Sequence, residues 1–459
     1  MTVYNEQIHR IKAKLLAAKE ADPQLKVFGA ESHKYQLGKP ASIEEVESFE
    51  KQYAIQLPGC YRSFILHIGN GGRSYVNSAA GPFYGIYPLG ENVDELVSDH
   101  GERYLKNDCI LYPKMPYDFW VDLNKNIDDN DYIPDDEYEK ELGKIYAGIL
   151  PIGSQGCTYL HGIVLHGEHR GRVVNLDTER NMPKFAYEKN FLDWYERWLD
   201  EVIAGDLLVH TPSWFGYTMG GNERELIHNF LSSGEIDFKD DCLAGILTKR
   251  KISEETLTII ETEFLNGGTT FKTALLQILV KFHYERAKPH LIEFMNTDLL
   301  AAFKFLYWYA KDKSSEWLDL IKLHIGSIAD EETFRFCTYL LRETDSDYGH
   351  LVVPFTAKEN ENIKVTAFYT LGQLKNKGDY LDAFINGLND SSNRVIHSAL
   401  QALSDVKDNR LLKHYQKIAQ KFPVERDYIL VNLNHRLADY GLNNVTIKEV
   451  DTDRYGIKK

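Results

Sequence analysis

The sequence predicts an α+β domain followed by an all-α helical-repeat domain, and three patterns lead to this prediction. Apolar residues recur at helical spacing near the N-terminus, and short apolar runs bounded by glycines follow between residues 149 and 176. Beyond about residue 222, strand signals almost vanish. With 459 residues the chain exceeds one ordinary domain. We therefore expect an α+β domain at 1–208, a linker at 209–222 and a helical-repeat domain at 223–459.

Helical periodicity defines the first elements. One apolar stripe in residues 1–21 indicates an amphipathic helix, which Asp22 and Pro23 end; the stripe consists of Ile8, Ile11, Leu15 and Ala18. A second helix is expected after Ser42, because Ser42 and Glu45 have the spacing of a reciprocal capping box. A break at Pro58, a short helix and a turn at residues 70–72 follow.

Residues 73–175 are expected to form short strands and loops. Apolar runs predict strands at 149–152, 162–165 and 171–176, and a strand end near 84–88. Residues 128–141 are expected to form an acidic loop. A helix at 190–199 should close the domain, because its aromatic residues share one face that suits core packing; these are Phe191, Trp194, Tyr195 and Trp198.

The C-terminal half shows a recurring pair of apolar residues with a period of about 30. A small residue is followed four positions later by a larger aliphatic one; the pairs are Ala274 and Ile278, Ala302 and Leu306, Cys337 and Leu341, Ala367 and Leu371, and Ala399 and Leu403. A helical hairpin cannot bury its apolar face alone, so neighbouring units should stack. This architecture resembles a HEAT or armadillo array, and such arrays are mostly binding scaffolds.

Four segments of the N-terminal domain resemble the SUKH superfamily, which includes fungal regulators of cell-wall glucan synthesis and many bacterial immunity proteins. They are the helix at 43–50, the Leu-Pro-x-x-aromatic run at 57–65, the turn at 69–72, and the stretch from 149 to 192. The resemblance covers about residues 1–205. It implies an antiparallel, curved sheet with flanking helices that serves as a recognition surface. The acidic insertion near 128–141 and the helical half depart from the short members of the superfamily.

Composition limits the classes of partner. The formal net charge is -15, which disfavours nucleic-acid binding and favours a basic protein partner. No apolar stretch is long enough for a membrane span, and the N-terminus lacks signal-peptide features, so we expect a cytoplasmic protein. Five widely spaced cysteines without a CxxC pair fit reduced thiols rather than disulfides.

Motifs of common catalytic and cofactor sites are absent from the sequence: it has no Walker A loop, GxGxxG, HExxH or GxSxG. His161, His166 and His169 with Glu168 suggest zinc ligands. However, His161 and His166 are an odd number of residues apart, so a continuous strand would place them on opposite faces, and a hairpin with a polar turn is the favoured interpretation. We expect no cofactor and no metal.

Cys157, His161 and Asp177 supply the residue types of a nucleophilic triad. The alternative is that Cys157 is a buried small residue. We favour this alternative, and we predict that the protein is not an enzyme.

The acidic run is the predicted partner-binding site, although a solvated loop is the alternative. Carboxylates would chiefly accelerate association with a basic partner, and tyrosines are frequent interface anchors. The predicted site comprises Asp128, Asp129, Asp131, Tyr132, Asp135, Asp136, Glu137 and Tyr138. The resulting hypothesis is an immunity protein that neutralises a basic protein toxin, with a nuclease among the candidates. The alternative is a regulatory interaction scaffold.

Overall fold

The computed structural model describes residues 4–98, 101–130, 132–423 and 427–452. The chain forms two compact units, which we call unit 1 (Met1–Ile260) and unit 2 (Glu261–Lys459). Apart from Val209, the last residue of the short helix Asp206–Val209, the predicted linker at 209–222 contains no helix or strand, and it lies within unit 1. Its role as the limit of an independently folding domain stays a prediction.

Unit 1 combines helices with one sheet. The helices are α1 (Asn5–Ala21), α2 (Ala30–His33), α3 (Ile43–Tyr53), α4 (Gly59–His67), α5 (Gly101–Tyr104), α6 (Tyr117–Asp128), α7 (Asp135–Ile145), α8 (Phe191–Ala204), α9 (Asp206–Val209), α10 (Glu223–Ser232), α11 (Ile236–Leu247) and α12 (Glu254–Asn266), which continues into unit 2. Short 3-10 turns lie at Tyr75–Asn77 and Val93–Glu95. The strands are β1 (Ile149–Gly156), β2 (Tyr159–Val164), β3 (Val173–Asp177) and β4 (Lys184–Phe185).

The sheet is antiparallel throughout, in the order β1-β2-β3-β4. The edge strands of the sheet are β1 and β4, and another backbone segment makes a hydrogen bond at or just beyond each of them. Beside β1, the backbone nitrogen of Tyr87 donates to the carbonyl of Ile152 over 2.8 Å. Just after β4, the nitrogen of Tyr187 donates to the carbonyl of Gly216 over 2.6 Å. The predicted α+β class is therefore confirmed, with an antiparallel sheet and flanking helices.

The core of unit 1 contains the residues that helical periodicity indicated. The stripe of α1 is buried, and so are all four aromatic residues on the predicted face of α8. The expected capping box of α3 is present: Glu45 N donates to Ser42 Oγ over 3.1 Å, and Ser42 N donates to Glu45 Oε2 over 2.7 Å. Local sequence chemistry thus determines where these helices begin and which face they bury.

Two expectations for residues 73–175 are wrong. The strand end near 84–88 is reduced to an isolated bridge between Ala79 and Ile86. The region expected to hold only strands and loops contains α5, α6 and α7. Proline explains part of this error, because Pro116 and Pro134 immediately precede α6 and α7. Proline interrupts a helix interior but is tolerated at the start of a helix, where its missing N–H has no intrahelical partner.

The described part of unit 2 beyond α12 is helical and contains no strand. Its helices are α13 (Lys272–Phe282), α14 (Tyr284–Phe294), α15 (Leu299–Ala310), α16 (Leu318–Ile325), α17 (Glu331–Arg342), α18 (Gly349–Val352), α19 (Glu361–Gly372), α20 (Leu381–Leu388), α21 (Asn393–Ala402), α22 (Leu412–Lys421) and α23 (Asp427–Ala438). Short 3-10 turns lie at Thr269–Phe271, Lys311–Trp317, Val353–Ala357, Lys377–Tyr380, Asn409–Leu411 and Thr446–Glu449.

The recurring small–large pairs mark every second helix of unit 2. They fall on α13, α15, α17, α19 and the end of α21, and each of these helices packs against the next one in this series. Ala302, Cys337, Ala367 and Ala399 are fully buried. Small side chains at these positions allow adjacent helices to approach closely. Unit 2 is therefore consistent with a helical-repeat region.

Candidate partner-binding surface

The predicted acidic loop is mostly helical. Asp128 is the last residue of α6, and Asp135, Asp136 and Glu137 form the first turn of α7. Only residues 129–134 lie between the two helices, and of these Asp131 is outside the described residues. We call residues 117–141 the acidic segment; it contains ten carboxylates and two lysines.

The three acids of the first turn of α7 also have a structural role. The first backbone N–H groups of a helix lack intrahelical acceptors, and the helix dipole favours negative charge at this end. Pro134 in the N-cap position carries no side-chain cap. Acidic residues therefore stabilise the start of α7, and this role alone is sufficient to account for them.

The structure divides the predicted site residues into two groups. Asp128 forms an ion pair with Arg180 at 2.8 Å, and Tyr138 packs against the core of unit 1. Asp129, Asp135, Asp136 and Glu137 are exposed and form no ion pair within the described residues. Tyr132 is 84% exposed. The second group is thus available to a partner.

Two other carboxylates of the acidic segment are held by the fold. Glu139 accepts a hydrogen bond from the backbone nitrogen of Ser98 over 2.7 Å. Glu141 is buried and accepts hydrogen bonds from Lys144 and, over 3.1 Å, from Asn126. The contact with Lys144 lowers the pKa of Glu141. These acids connect α7 to its surroundings.

Helix α6 contributes residues that the sequence interpretation missed. Tyr117 is 67% exposed and Val121 is 44% exposed. One turn apart, they lie on the same side of α6, and Asp118 and Asp122 are spaced in the same way. An exposed aromatic residue within a run of carboxylates combines an apolar anchor with long-range attraction. The sequence signal for this surface is the four-residue spacing of Tyr117 and Val121, and it indicates a shared face only if residues 117–128 are helical.

The histidines do not form a metal site. His161 is buried in β2 against Trp194, with ring centroids 5.0 Å apart, and burial lowers its pKa to about 3. The His169 ring instead meets Phe185 edge-on, with ring centroids 5.7 Å apart. Within the described residues, no three histidine, cysteine, aspartate or glutamate side chains converge as a metal ion would require.

Cys157, His161 and Asp177 are not arranged as a triad. Cys157 is exposed, so the expectation that it is buried is wrong. Within the described residues, no hydrogen bond joins His161 to Cys157 or to Asp177. The Asp177 carboxylate accepts hydrogen bonds from Asn181 and from the Glu179 nitrogen. Asp177 therefore does not orient His161.

A buried charged network lies elsewhere in unit 1, where no sequence motif marked it. Arg197 donates to Glu188 and to Glu201, each over 2.7 Å, and all three side chains are largely buried. Burial raises the pKa of Glu188. A neighbouring buried pair joins Lys249 to Asp206 at 3.1 Å. The Arg197 network and the Lys249–Asp206 pair both line a cavity of about 1040 Å³.

Comparison with known proteins supports the resemblance. Residues 40–197 match the family model described as SMI1 / KNR4 family (SUKH-1). All four segments that suggested this superfamily lie within the matched range. No curated protein and no solved structure matched the chain. A search of the described helices found none with both the length and the apolarity that a membrane crossing needs.

Proposed function

Because residues 40–197 form a SUKH-1 domain, we propose that the chain is a cytoplasmic immunity protein that binds and neutralises a cognate protein toxin without catalysis. Many bacterial proteins of the superfamily have this role. The toxin would be basic, and a nuclease is the first candidate because nucleases carry positive charge to hold their substrate. Neutralisation would be stoichiometric, through occlusion of the toxin's active site or restriction of its conformation.

The observation that carries this proposal is the group of exposed carboxylates around Tyr132. Asp129, Asp135, Asp136 and Glu137 are solvated and close in sequence, so their potentials add outside the protein. Tyr132 supplies an aromatic side chain whose burial on binding would add affinity. Steering by the carboxylates and anchoring by the tyrosine would act at different stages of association.

The distribution of charge supports unit 1 as the site of contact. Unit 1 contains 27 basic and 41 acidic side chains, whereas unit 2 contains 26 and 27. Nearly all of the net charge of the protein therefore resides in unit 1. A basic toxin would be attracted to this unit over about a Debye length, roughly 8 Å at physiological salt.

A regulatory interaction module is the second candidate function. It is favoured by the nearly neutral helical unit 2, which exposes aromatic residues such as Trp308 and Tyr369. A scaffold would use such residues to hold a second protein. An immunity protein protects the cell from one particular toxin, so we expect the toxin gene to lie next to its own gene. A regulatory scaffold has no such requirement.

The test is co-expression of the full chain with the product of the adjacent gene, with growth and co-purification as readouts. We expect the adjacent product to arrest growth alone, and the chain to restore growth and to co-purify with it in a one-to-one complex. A chain in which Asp129, Asp135, Asp136 and Glu137 are changed to Asn or Gln should protect less well. Toxicity that persists with a soluble, folded chain would overturn the immunity proposal and favour the scaffold.

A further inference from the structure

Helices α15, α17 and α19 of unit 2 pack side by side and share an exposed aromatic surface. It is formed by side chains of α15, α17 and α19 that project away from the buried small–large pairs. We call it the aromatic surface and define it as Tyr307, Trp308, Phe336, Tyr339, Arg342 and Tyr369. Trp308 is 49% exposed and Tyr369 is 55% exposed, and the other members are half-buried.

The aromatic rings contact one another across the helix boundaries. The Tyr307 centroid lies 5.0 Å from that of Tyr339 and 6.0 Å from that of Phe336. Trp308 meets Phe336 edge-on at 6.0 Å. Such contacts fix ring positions, so little side-chain entropy remains to be lost when a partner binds. The surface is continuous from α15 to α17.

Arg342 extends this surface from α17 to α19. Its guanidinium carbon lies 5.0 Å from the Tyr339 centroid and 5.5 Å from the Tyr369 centroid. The two rings hold the guanidinium plane by cation–π contact. Arg342 forms no ion pair with any carboxylate in the described residues, and its buried Nε lacks an acceptor there.

The neighbouring cations are already neutralised. Lys304 pairs with Glu332 at 2.8 Å, and Arg335 lies 3.9 Å from Glu331. Arg342 therefore contributes the uncompensated positive charge of the aromatic surface. A held guanidinium with free donors recognises a carboxylate well, because the two groups match in bidentate geometry.

We propose that the aromatic surface binds an acidic segment of a second protein partner, with a partner carboxylate on Arg342 and apolar side chains on Tyr307, Phe336 and Trp308. A protein segment fits better than a nucleic acid, because nucleic-acid affinity rests on several phosphate contacts and this surface, as far as the structure describes its surroundings, offers one uncompensated cation. This partner segment is acidic, whereas the toxin proposed to bind unit 1 is basic. The two partners are therefore different proteins or different parts of a protein.

The experiment is selection of random 12-residue peptides displayed on phage against the full chain, followed by affinity measurement with synthetic peptides. We expect the selected peptides to be enriched in Asp or Glu next to apolar residues. Arg342→Gln should weaken their binding by about tenfold or more, since hydrogen bonds to charged groups contribute that much. Trp308→Ala should weaken it as well.

Arg410→Gln is the matched control, because Arg410 is an exposed arginine of unit 2 that pairs with Asp408 at 2.9 Å. It should leave peptide affinity unchanged. Arg342→Lys keeps the charge but removes the planar group, and should restore only part of the affinity. Selected peptides without acidic enrichment, or equal binding by the Arg342→Gln chain, would overturn the proposal. Displacement of the peptides by a single-stranded oligonucleotide at physiological salt would overturn the assignment to a protein partner.

Discussion

Arg197 Nη1 lies 2.7 Å from Glu188 Oε1 inside unit 1, and the same nitrogen donates to the carbonyl of Thr218 over 2.7 Å. Glu201 completes the network on the Nε side. One buried cation therefore compensates two buried carboxylates and binds a backbone group of the segment that follows α9. The network connects the SUKH-1 domain to residues beyond its matched range.

Removal of this cation should strongly destabilise unit 1. Arg197→Met leaves Glu188 and Glu201 without compensation, and the loss of one partner of a buried pair costs about 3–5 kcal/mol. Urea unfolding of the full chain measures the change. Arg10→Met is the control, because the Arg10 side chain is 53% exposed in its pair with Glu196, and should cost about 0–1 kcal/mol. A loss below about 1 kcal/mol for Arg197→Met would contradict the expectation.

Charge reversal in the acidic segment should slow association with the toxin. Changing Asp135, Asp136 and Glu137 to Lys is expected to lower the association rate constant by about tenfold at low salt, with a smaller effect on dissociation. Stopped-flow mixing at two salt concentrations measures both. The same reversal at the exposed acids Glu31, Glu44 and Glu47 is the matched control. Equal association rates at low salt would exclude a steering role for α7.

Cys157 should be dispensable for neutralisation. It is exposed in the β1–β2 turn with a φ of 51°, and within the described residues it does not form a triad with His161 and Asp177. Cys157→Ala is expected to protect cells as well as the unmodified chain does. Growth in the co-expression assay and circular dichroism of the variant provide the readouts. Loss of protection with an intact fold would indicate chemistry at this thiol.

Acid should destabilise unit 1 through His33 and His161. Burial lowers the pKa of His33 to about 4 and that of His161 to about 3, against about 6.5 when unfolded. Because the folded values are depressed, the unfolded chain binds more protons below pH 6.5, and stability falls as pH decreases towards 4 and 3. Each histidine contributes up to roughly 1.4 kcal/mol per pH unit in its window.

The double variant His33→Gln, His161→Gln should therefore show a flatter dependence of the unfolding free energy on pH between about 6.5 and 4. His9→Gln is the control, since His9 is exposed on α1. Urea titrations at several pH values measure the slopes. Identical slopes for the double variant and the unmodified chain would contradict the assignment of this acid sensitivity to the two buried rings.

Close helix packing in unit 2 can be tested at two glycines. A Cβ at Gly387 would clash with the Phe368 ring, so Gly387→Ala should cost about 1–3 kcal/mol. Gly326 follows α16 with a φ of -63° and has open space around it. Gly326→Ala should stabilise by about 0.4–1 kcal/mol, because alanine restricts the unfolded chain. Thermal unfolding distinguishes the two; equal effects would argue against the close contact at Phe368.

Sequence reasoning succeeded where the determinants are local. The stripe of α1 depends on residues three or four positions apart, and the Ser42–Glu45 box depends on two residues within one turn. The pairs that mark α13 to α21 were recognisable because the same packing requirement recurs. Strands β1, β2 and β3 were found where apolar runs lie next to glycines, whereas β4 was not predicted.

Sequence reasoning failed where the residues that determine the structure are distant in the chain. The charges of residues 128–141 suggested a solvated loop, because nothing local reveals that Glu141 is held by Asn126 from the preceding helix, or that Glu139 caps Ser98 N. Arg197 and Glu188 carry no motif either, since the reason for their pairing is shared burial. The predicted partner-binding residues and the predicted boundary at 209–222 stay predictions.

The segment around Phe215 and Gly216 covers the edge of the sheet beside β4. It therefore limits where the chain can be truncated without exposing that edge. Phe215 is buried against Trp194, with centroids 5.7 Å apart, and its carbonyl accepts a hydrogen bond from Asn175. A fragment that stops at residue 208 would lose this cover together with the Gly216 contact beside β4. Its exposed strand edge and uncovered indole would promote self-association, so a soluble, monomeric fragment should extend past Met219.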